Sequence, residues 1–432
     1  MAADGRGEVV VTGFGAVTPA GADRETTWRN LVAGNSAVGP ITAFDASALP
    51  VRIAAEVRGF DPARLLDRRR LRRTARFSQL AIAAAREAVA DAGLAVGPGS
   101  AEGVGVVINA TVAGFDTVEA ATRQLVGGEQ KLSPYFVSSS LTNMPACEVA
   151  IDLGAHGPVL ASALACASGN AAFLQARQLI VSGEADVVVC GGTDAAITPV
   201  IFAGLSPMGA LSRRNDDPAG ASRPFDAERD GFVFGEGAVA AVVESAAHAA
   251  RRGAVPYAVV AGGALSCDAF HVSHPRPDAV YAAAAIRQAL QRAGIAPAGL
   301  DYICAHATGT PAGDRAETSA IRQALGDAAA TVPASAPKSM TGHLIGAAGA
   351  LGVMVCALAI RDGIIPPTIN LKTPDPECDL DYVPNVARHA PVRTAISTAF
   401  GFGGQNCVVA LRAPGSGPAR PPAAATPGRG RP

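Results

Sequence analysis

The sequence predicts a layered α/β fold made of two related halves, and three observations predict it. Short apolar runs of strand length alternate with longer stretches of helical character along the chain. Two of those runs open comparable segments and are read as strands ending in glycine turns: Val9–Gly15 (Val-Val-Val-Thr-Gly-Phe-Gly) and Tyr257–Gly263 (Tyr-Ala-Val-Val-Ala-Gly-Gly). Cys166 and His343 then stand at matching points of the two segments, each just ahead of a helix rich in small residues.

After its first strand the N-terminal half continues through helical stretches near Thr27–Ala33 and Arg76–Ala92 and a strand at Gly103–Asn109. An apolar approach leads to Cys166, and apolar strands at Ala185–Gly192 and Gly237–Glu244 close the half. The second half runs through a helix at Val280–Ala293, a strand at Leu300–Ala305 ending at His306, and a helix after His343. Its last pair, Thr394–Phe400 and Asn406–Leu411, is joined by Gly-Phe-Gly-Gly-Gln and reads as strand, turn, strand. This divides the chain into residues 1–250, 251–412 and a tail at 413–432, whose Pro, Ala, Gly and Arg offer no large apolar side chain to bury and predict disorder.

With 432 residues, 49% hydrophobic against 17% charged, the chain has ample material for a compact core. A formal charge of −1 argues against nucleic acid as the main partner. Eight cysteines occur without any Cys-x-x-Cys spacing, so no zinc knuckle or redox dithiol is indicated. The first residues lack the apolar stretch of a signal peptide, which predicts a cytoplasmic protein. The uncharged, Gly- and Ala-rich run Leu344–Ile360 is 17 residues, short of the ~20 that span a bilayer, and reads as a buried helix.

Cys166 lies in Ala-Leu-Ala-Cys-Ala-Ser-Gly-Asn, where small neighbours leave room for a ligand. Alone it is one buried thiol among eight. The helix it precedes, ending near Gly183, directs free N–H groups and a positive dipole end at the sulfur, which predicts a thiolate. His306 ends an apolar strand, where a structural histidine is the ordinary reading, but Thr308 and Thr310 follow in a glycine-containing turn. Asp314 and Glu317 read as an Asp-x-x-Glu helix cap and as charges of the site, two readings that can hold together. Lys338, one of only three lysines, precedes His343 by five residues among small or apolar flanks. Gly401, Gly403 and Gly404 around Phe402 form either a plain hairpin turn or a loop that presents an N–H to a developing oxyanion.

Other chemistries fail on inspection. Gly13-Phe14-Gly15-Ala16-Val17-Thr18-Pro19 starts like a dinucleotide fingerprint, but Thr18 replaces the third glycine and Pro19 interrupts the helix. Gly-x-Ser-x-Gly, Walker A and His-Glu-x-x-His patterns do not occur.

With these residues assembled, the chain resembles the β-ketoacyl-acyl-carrier-protein synthases, of the synthase II type, and the related type II polyketide ketosynthases. The likeness spans about residues 8 to 412. It rests on segments 9–19, 165–169, 222–237 (Ser-Arg-Pro-Phe-Asp-Ala-Glu-Arg-Asp-Gly-Phe-Val-Phe-Gly-Glu-Gly), 309–317, 338–349, 366–370 and 400–406. The resemblance implies a thiolase-like fold, two duplicated βαβαβ-type halves in five αβαβα layers. It implies an acyltransferase that elongates a Cys-bound acyl chain by decarboxylative Claisen condensation with malonyl-carrier protein.

By that likeness Cys166 is the acylated nucleophile, and His306 and His343 bind the malonyl thioester carbonyl with Lys338 and Glu317 in support. The amides of Cys166 and Phe402 form the oxyanion hole. Phe400 and Phe402 gate the acyl pocket, and Thr308 and Thr310 meet the phosphopantetheine arm. The family's partners are acyl carrier protein and a second ketosynthase-like chain, in a homodimer or in a heterodimer with a chain-length factor. No metal or redox cofactor, nucleic acid or membrane span is implied. The run Asp67–Arg76 reads as a solvated basic helix face, and in the family this region docks the acidic carrier, which points to Arg69, Arg72 and Arg73.

Three departures bear on pocket shape: Ala307 for a usual glycine, Leu164 for a common threonine, and Ala336-Pro337 before Lys338. The strongly arginine-biased composition and these departures lean towards polyketide or polyene over fatty acid synthesis. A non-condensing chain-length partner is the alternative, though such chains typically lack the cysteine. A thiolase would need a second catalytic cysteine near the C-terminal glycine turn, where Cys407 lies within a stretch that follows the synthase pattern.

Overall fold

The computed structural model describes residues 7–416. Most of the expected tail, residues 417–432, lies outside the described residues. One sheet holds ten strands: β1 (Val9–Val17), β2 (Val104–Asn109), β3 (Val159–Leu160), β4 (Val187–Asp194), β5 (Gly237–Ser245), β6 (Ala258–Cys267), β7 (Tyr302–Cys304), β8 (Ala334–Ser335), β9 (Thr394–Gly401) and β10 (Gln405–Arg412). Their order is β8-β7-β9-β10-β6-β1-β5-β4-β2-β3.

Read outward from the centre, each set of five follows the same path: first strand, fifth, fourth, second, third. Senses repeat too. β2 is parallel to β3 and β4 as β7 is to β8 and β9, and the remaining neighbours are antiparallel. The halves join where β1 meets β6, through Val10 opposite Val259 and Val11 opposite Ala258.

Six helices complete the layers: α1 (Arg76–Asp91), α2 (Met144–Leu153), α3 (Ser168–Ser182), α4 (Val280–Ala293), α5 (Pro311–Leu325) and α6 (Ala348–Asp362). Packed together, α1 and α2 cover the first five strands, and α4 lies on the second five with α5 packed beside it in the same apolar cluster. Between them α3 and α6 pack on each other and on strands of both halves, which completes an αβαβα arrangement. Residues 348–359 of α6 are all buried, as the uncharged run predicts. The segment Ile345–Asp362 is long and apolar enough to cross a membrane, but 83% of it is buried in protein.

The two opening runs do not end in turns. β1 continues to Val17 and β6 to Cys267. Their glycines serve close packing instead: a Cβ on Gly15 would lie 2.0 Å from the Ala84 carbonyl of α1, and one on Gly262 would lie 2.7 Å from the Ala293 nitrogen of α4. In both halves, then, a first strand stripped of side chains lets an outer helix press its backbone onto the sheet.

Candidate active site

Cys166 occupies a tight turn at the start of α3. The preceding Ala165 has φ +46°, an unusual conformation for a residue with a Cβ. It is held by the Thr111 hydroxyl donating to the Ala165 carbonyl at 2.8 Å, and by the Leu164 N–H donating to Ser168 Oγ at 2.8 Å. Gly401 lies against this turn, where a Cβ would stand 2.9 Å from the Leu164 carbonyl and 3.1 Å from the Cys166 nitrogen. That approach brings the N–H of Phe402 to the Cys166 sulfur beside the N–H of Cys166 itself.

The thiol is half-buried at the cavity surface, and its protein surroundings push its pKa up to about 11. Desolvation is the largest cause, and the Asp194 carboxylate adds to it. The Lys338 charge and the two amides pull down without winning. The thiolate expected from the helix terminus is therefore replaced by a neutral resting thiol.

His306 follows β7, and its backbone is clamped. Its N–H donates to Glu317 Oε1 at 2.8 Å and to Thr398 Oγ1 at 2.9 Å, while the Ala307 N–H donates to Glu317 Oε2 at 2.6 Å. The Thr398 hydroxyl in turn donates to Glu317 at 2.6 Å. His343 sits after the short helix Lys338–Thr341. Its N–H donates to the Val233 carbonyl at 2.7 Å, and its own carbonyl accepts from Gly235 at 2.9 Å.

The Ile345 N–H donates to His343 Nδ1 at 3.3 Å, so the proton of the neutral ring resides on Nε2. Among the described residues, buried His343 Nε2 and His306 Nδ1 have no hydrogen-bond partner. The two rings stand 5.5 Å apart at 86°, and one ring nitrogen of each lies within 4.8 Å of the other and of Cys166 Sγ. Burial, with the nearby Lys338 charge, holds both imidazoles well below their usual range and therefore neutral.

Lys338 is buried, and desolvation lowers its pKa, opposed by Glu317, Asp314 and two thiols. The Asp-x-x-Glu cap reading is overturned: Thr310 caps α5 by accepting the Gly313 N–H, which leaves Asp314 and Glu317 buried inside the helix as acceptors for other segments. Asp314 accepts from Phe225 at 2.9 Å and Gly309 at 3.1 Å, and burial pushes it up to about 7.

A cavity of about 420 Å³ opens beside Cys166, His306 and His343. Thr308, Thr310 and Phe400 line it, and Phe400 packs 5.9 Å from the His306 ring. Phe402 also lines it and is 39% exposed. On the side formed by Val112, Ile201, Leu205, Phe232, Phe234 and Ile345 the wall belongs to one apolar cluster. Leu164 and Ala307 are absent from the lining: Leu164 packs on Ala167, Ala171, Ala399 and Cys407, and Ala307 is buried at φ +21° behind the Glu317 clamp.

Of the basic run, Arg69 and Arg72 are exposed on the helix Arg68–Arg73. Arg73 instead pairs with buried Glu148 at 3.1 Å, an anchoring the sequence does not signal. Thr398 and Asp194 also carry no local signal. Each is a short polar residue in an apolar strand, and its partners lie far away in sequence.

Among the described residues, Cys166, His306 and His343 form the one group of three metal-ligating side chains this close together. The ammonium of Lys338 beside them opposes a divalent cation.

Family models described as the β-ketoacyl synthase N-terminal and C-terminal domains match residues 6–249 and 257–372. The chain is 44% identical over 405 residues to the 3-oxoacyl-[acyl-carrier-protein] synthase 2 of a Synechocystis species, covering 94% of this chain and 97% of that one. Against the protein of the same name from Coxiella burnetii it is 45% identical over 404 residues, 93% and 98% of the two chains. Two solved structures are similar. The ishigamide ketosynthase/chain length factor has TM-score 0.89 at 37% identity, and a type II polyketide ketosynthase with its acyl-carrier protein, bound to a hexaketide, has TM-score 0.86 at 34%. Both matches cover 94% of this chain and 99% of theirs.

Proposed function

Since the chain belongs to the β-ketoacyl synthase family and is a condensing acyltransferase, we propose that it elongates a Cys166-bound acyl chain with malonyl units, both delivered on acyl carrier protein. The observation that carries this reading is the meeting of Cys166, His306 and His343 within 4.8 Å, with two amide N–H groups on the sulfur. In the first step the thiol sulfur attacks the acyl thioester carbonyl. The thiol proton leaves with the carrier's sulfur as its thioester bond breaks, and the N–H groups of Cys166 and Phe402 hold the oxyanion between.

Malonyl thioester then enters through the channel bordered by Thr308 and Thr310. As its C–C bond breaks and carbon dioxide leaves, the electron pair becomes an enolate whose oxygen accepts hydrogen bonds from neutral imidazoles. His343 suits this role because Ile345 fixes its proton on Nε2. The enolate carbon attacks the acyl carbonyl on Cys166, and sulfur departs as thiolate and recovers a proton. Lys338 supplies positive charge throughout, and Glu317 holds the His306 segment. Every group in the scheme belongs to the chain or to the carrier's phosphopantetheine arm.

The apolar wall favours a reduced acyl chain. Keto oxygens laid along Val112, Leu205, Phe232 and Phe234 would lose water and gain no donor, at a cost of about 1–3 kcal/mol each. This supports fatty acyl or polyene chains over poly-β-keto chains. It fits the 3-oxoacyl-[acyl-carrier-protein] synthase names of the relatives, and narrows the polyketide leaning drawn from composition.

Pairing with a second ketosynthase-like chain is supported by an open sheet edge. Among the described residues β3 pairs only with β2, and its Val159 and Leu160 are exposed, as are Phe115, Leu125, Val126 and Val137 in the segment between β2 and β3. Eight free cysteines suit a reducing, cytoplasmic setting.

Intact-protein mass after incubation with acyl-carrier protein tests the proposal. An acyl adduct on the wild type that is absent from Cys166→Ala, followed by its consumption on adding malonyl-carrier protein, supports condensation. A wild-type chain that stays unmodified ends it.

A further inference from the structure

The last residue of β4, Asp194, is fully buried, and among the described residues every hydrogen-bond partner of its carboxylate is a backbone N–H. Oδ1 accepts from Val112 at 3.0 Å and Ala113 at 3.1 Å. Thr111 reaches both oxygens, at 3.2 and 3.1 Å, and Gly346 donates to Oδ2 at 2.7 Å. Because all four partners donate, the geometry favours the ionised form against the burial that pushes this carboxyl up to about 7, and a protonated acid would place a hydrogen against a donor.

The four amides belong to two different parts of the site. One is the loop after β2, where Thr111 passes the contact on: its hydroxyl donates to the carbonyl of Ala165, the strained residue before Cys166, and meets Ser168 Oγ at 3.1 Å. The other is the turn after His343. There Gly346 follows Ile345, which holds φ +51° while its N–H fixes His343 Nδ1. The contact at Gly346 is close enough that a Cβ would lie 2.5 Å from Asp194 Oδ2. One carboxylate of the N-terminal half is thus bonded, at one remove each, to the nucleophile's turn and to the turn that sets the tautomer of a histidine from the C-terminal half.

We propose that Asp194 is a positioning residue that couples the two halves of the reaction, aligning the Cys166 turn through Thr111 and the His343 ring through Gly346. The proposal rests on the functional reading above for its kinetic consequences, but not for its structural one. Asp194→Asn keeps the shape and replaces one acceptor with an NH₂ group. Whichever way the amide turns, it presents a donor to one of the two loops.

Three measurements on the full-length chain test it. In Asp194→Asn, kcat for malonyl-carrier decarboxylation is expected to fall roughly 10- to 100-fold with KM within about threefold, since misplacement by about an ångström costs on that order. Nitrogen-15 NMR of histidine-labelled protein is expected to show His343 in one tautomer in the wild type and in a mixture in Asp194→Asn. Thr111→Val cuts only the nucleophile's arm, so it is expected to slow acyl loading of Cys166 while leaving the His343 signals at their wild-type positions.

A folded Asp194→Asn protein with wild-type His343 signals and wild-type kcat overturns the proposal. So does one whose loss is confined to thermal stability. A wild-type chain that fails to load acyl groups sinks the functional reading instead, and the NMR result still decides the role of Asp194.

Discussion

The backbone N–H of Ile345 donates to Nδ1 of His343 at 3.3 Å, so a main-chain group decides which way this imidazole can act: as a donor through Nε2. Removing that donor should affect the step that develops negative charge more than the step that loads the acyl group. His343→Ala is expected to lower malonyl-carrier decarboxylation about 10²- to 10³-fold, the usual loss for one preorganised oxyanion donor. Acyl loading of Cys166, followed by intact mass, should stay within about tenfold. Equal losses in both steps would contradict this division of labour.

A thiol pushed up to about 11 loses thiolate tenfold for each pH unit below that value. Inactivation by iodoacetamide in the absence of substrate is therefore expected to be slow near neutrality and to keep rising through about pH 9 with no plateau. A plateau near pH 7 would show a resting thiolate.

Both active-site imidazoles are held well below 6.5 by burial, so the folded chain binds fewer protons than the unfolded chain once the pH drops beneath that value. Their contribution to stability is complete above about pH 6.5 and is lost as the pH falls, by up to ~1.4 kcal/mol per pH unit for each histidine. Urea denaturation at a series of pH values should show this decline, with a shallower slope for His343→Gln. Identical slopes would remove His343 as a cause.

Thr398 joins the His306 backbone to Glu317, with bonds of 2.9 and 2.6 Å. Thr398→Val leaves those groups one partner short, at a cost of about 1–3 kcal/mol of stability in denaturant titrations. Decarboxylation should fall with it as His306 loses its clamp. Thr398→Ser, which keeps the hydroxyl, should recover most of both.

The basic helix separates docking from anchoring. Arg69→Glu and Arg72→Glu are expected to raise KM for carrier-bound substrates, more at low salt than at high, with kcat and turnover of a small acyl thioester unchanged. Arg73→Glu faces buried Glu148 and should destabilise the fold instead. A thermal-shift comparison with KM measurements distinguishes the two, and a carrier KM indifferent to Arg69 and Arg72 would move the docking surface elsewhere.

How much could be read before the fold was known differs from residue to residue. The terminal hairpin Thr394–Gly401 and Gln405–Arg412 was legible because an alternating apolar pair around a glycine turn leaves few other solutions. The glycines of β1 and β6 were read as turns because a local pattern cannot show a helix backbone arriving from about 70 residues away in one half and 30 in the other. The Asp-x-x-Glu reading failed for a similar reason: Thr310 caps the helix, which freed both acids to serve loops outside it.

The identity and order of the reactive groups are written along the chain: Cys166 ahead of α3, His306 after β7, His343 ahead of α6, and the Phe402 turn. These follow from short-range backbone preferences and from motifs that keep their spacing. Their chemical state depends on the folded surroundings. The neutral thiol, the Nε2–H tautomer, the clamp on His306 and the Asp194 link between halves depend on desolvation and on hydrogen bonds that span up to about 150 residues. Such bonds depend on distances in space, which local sequence patterns do not encode.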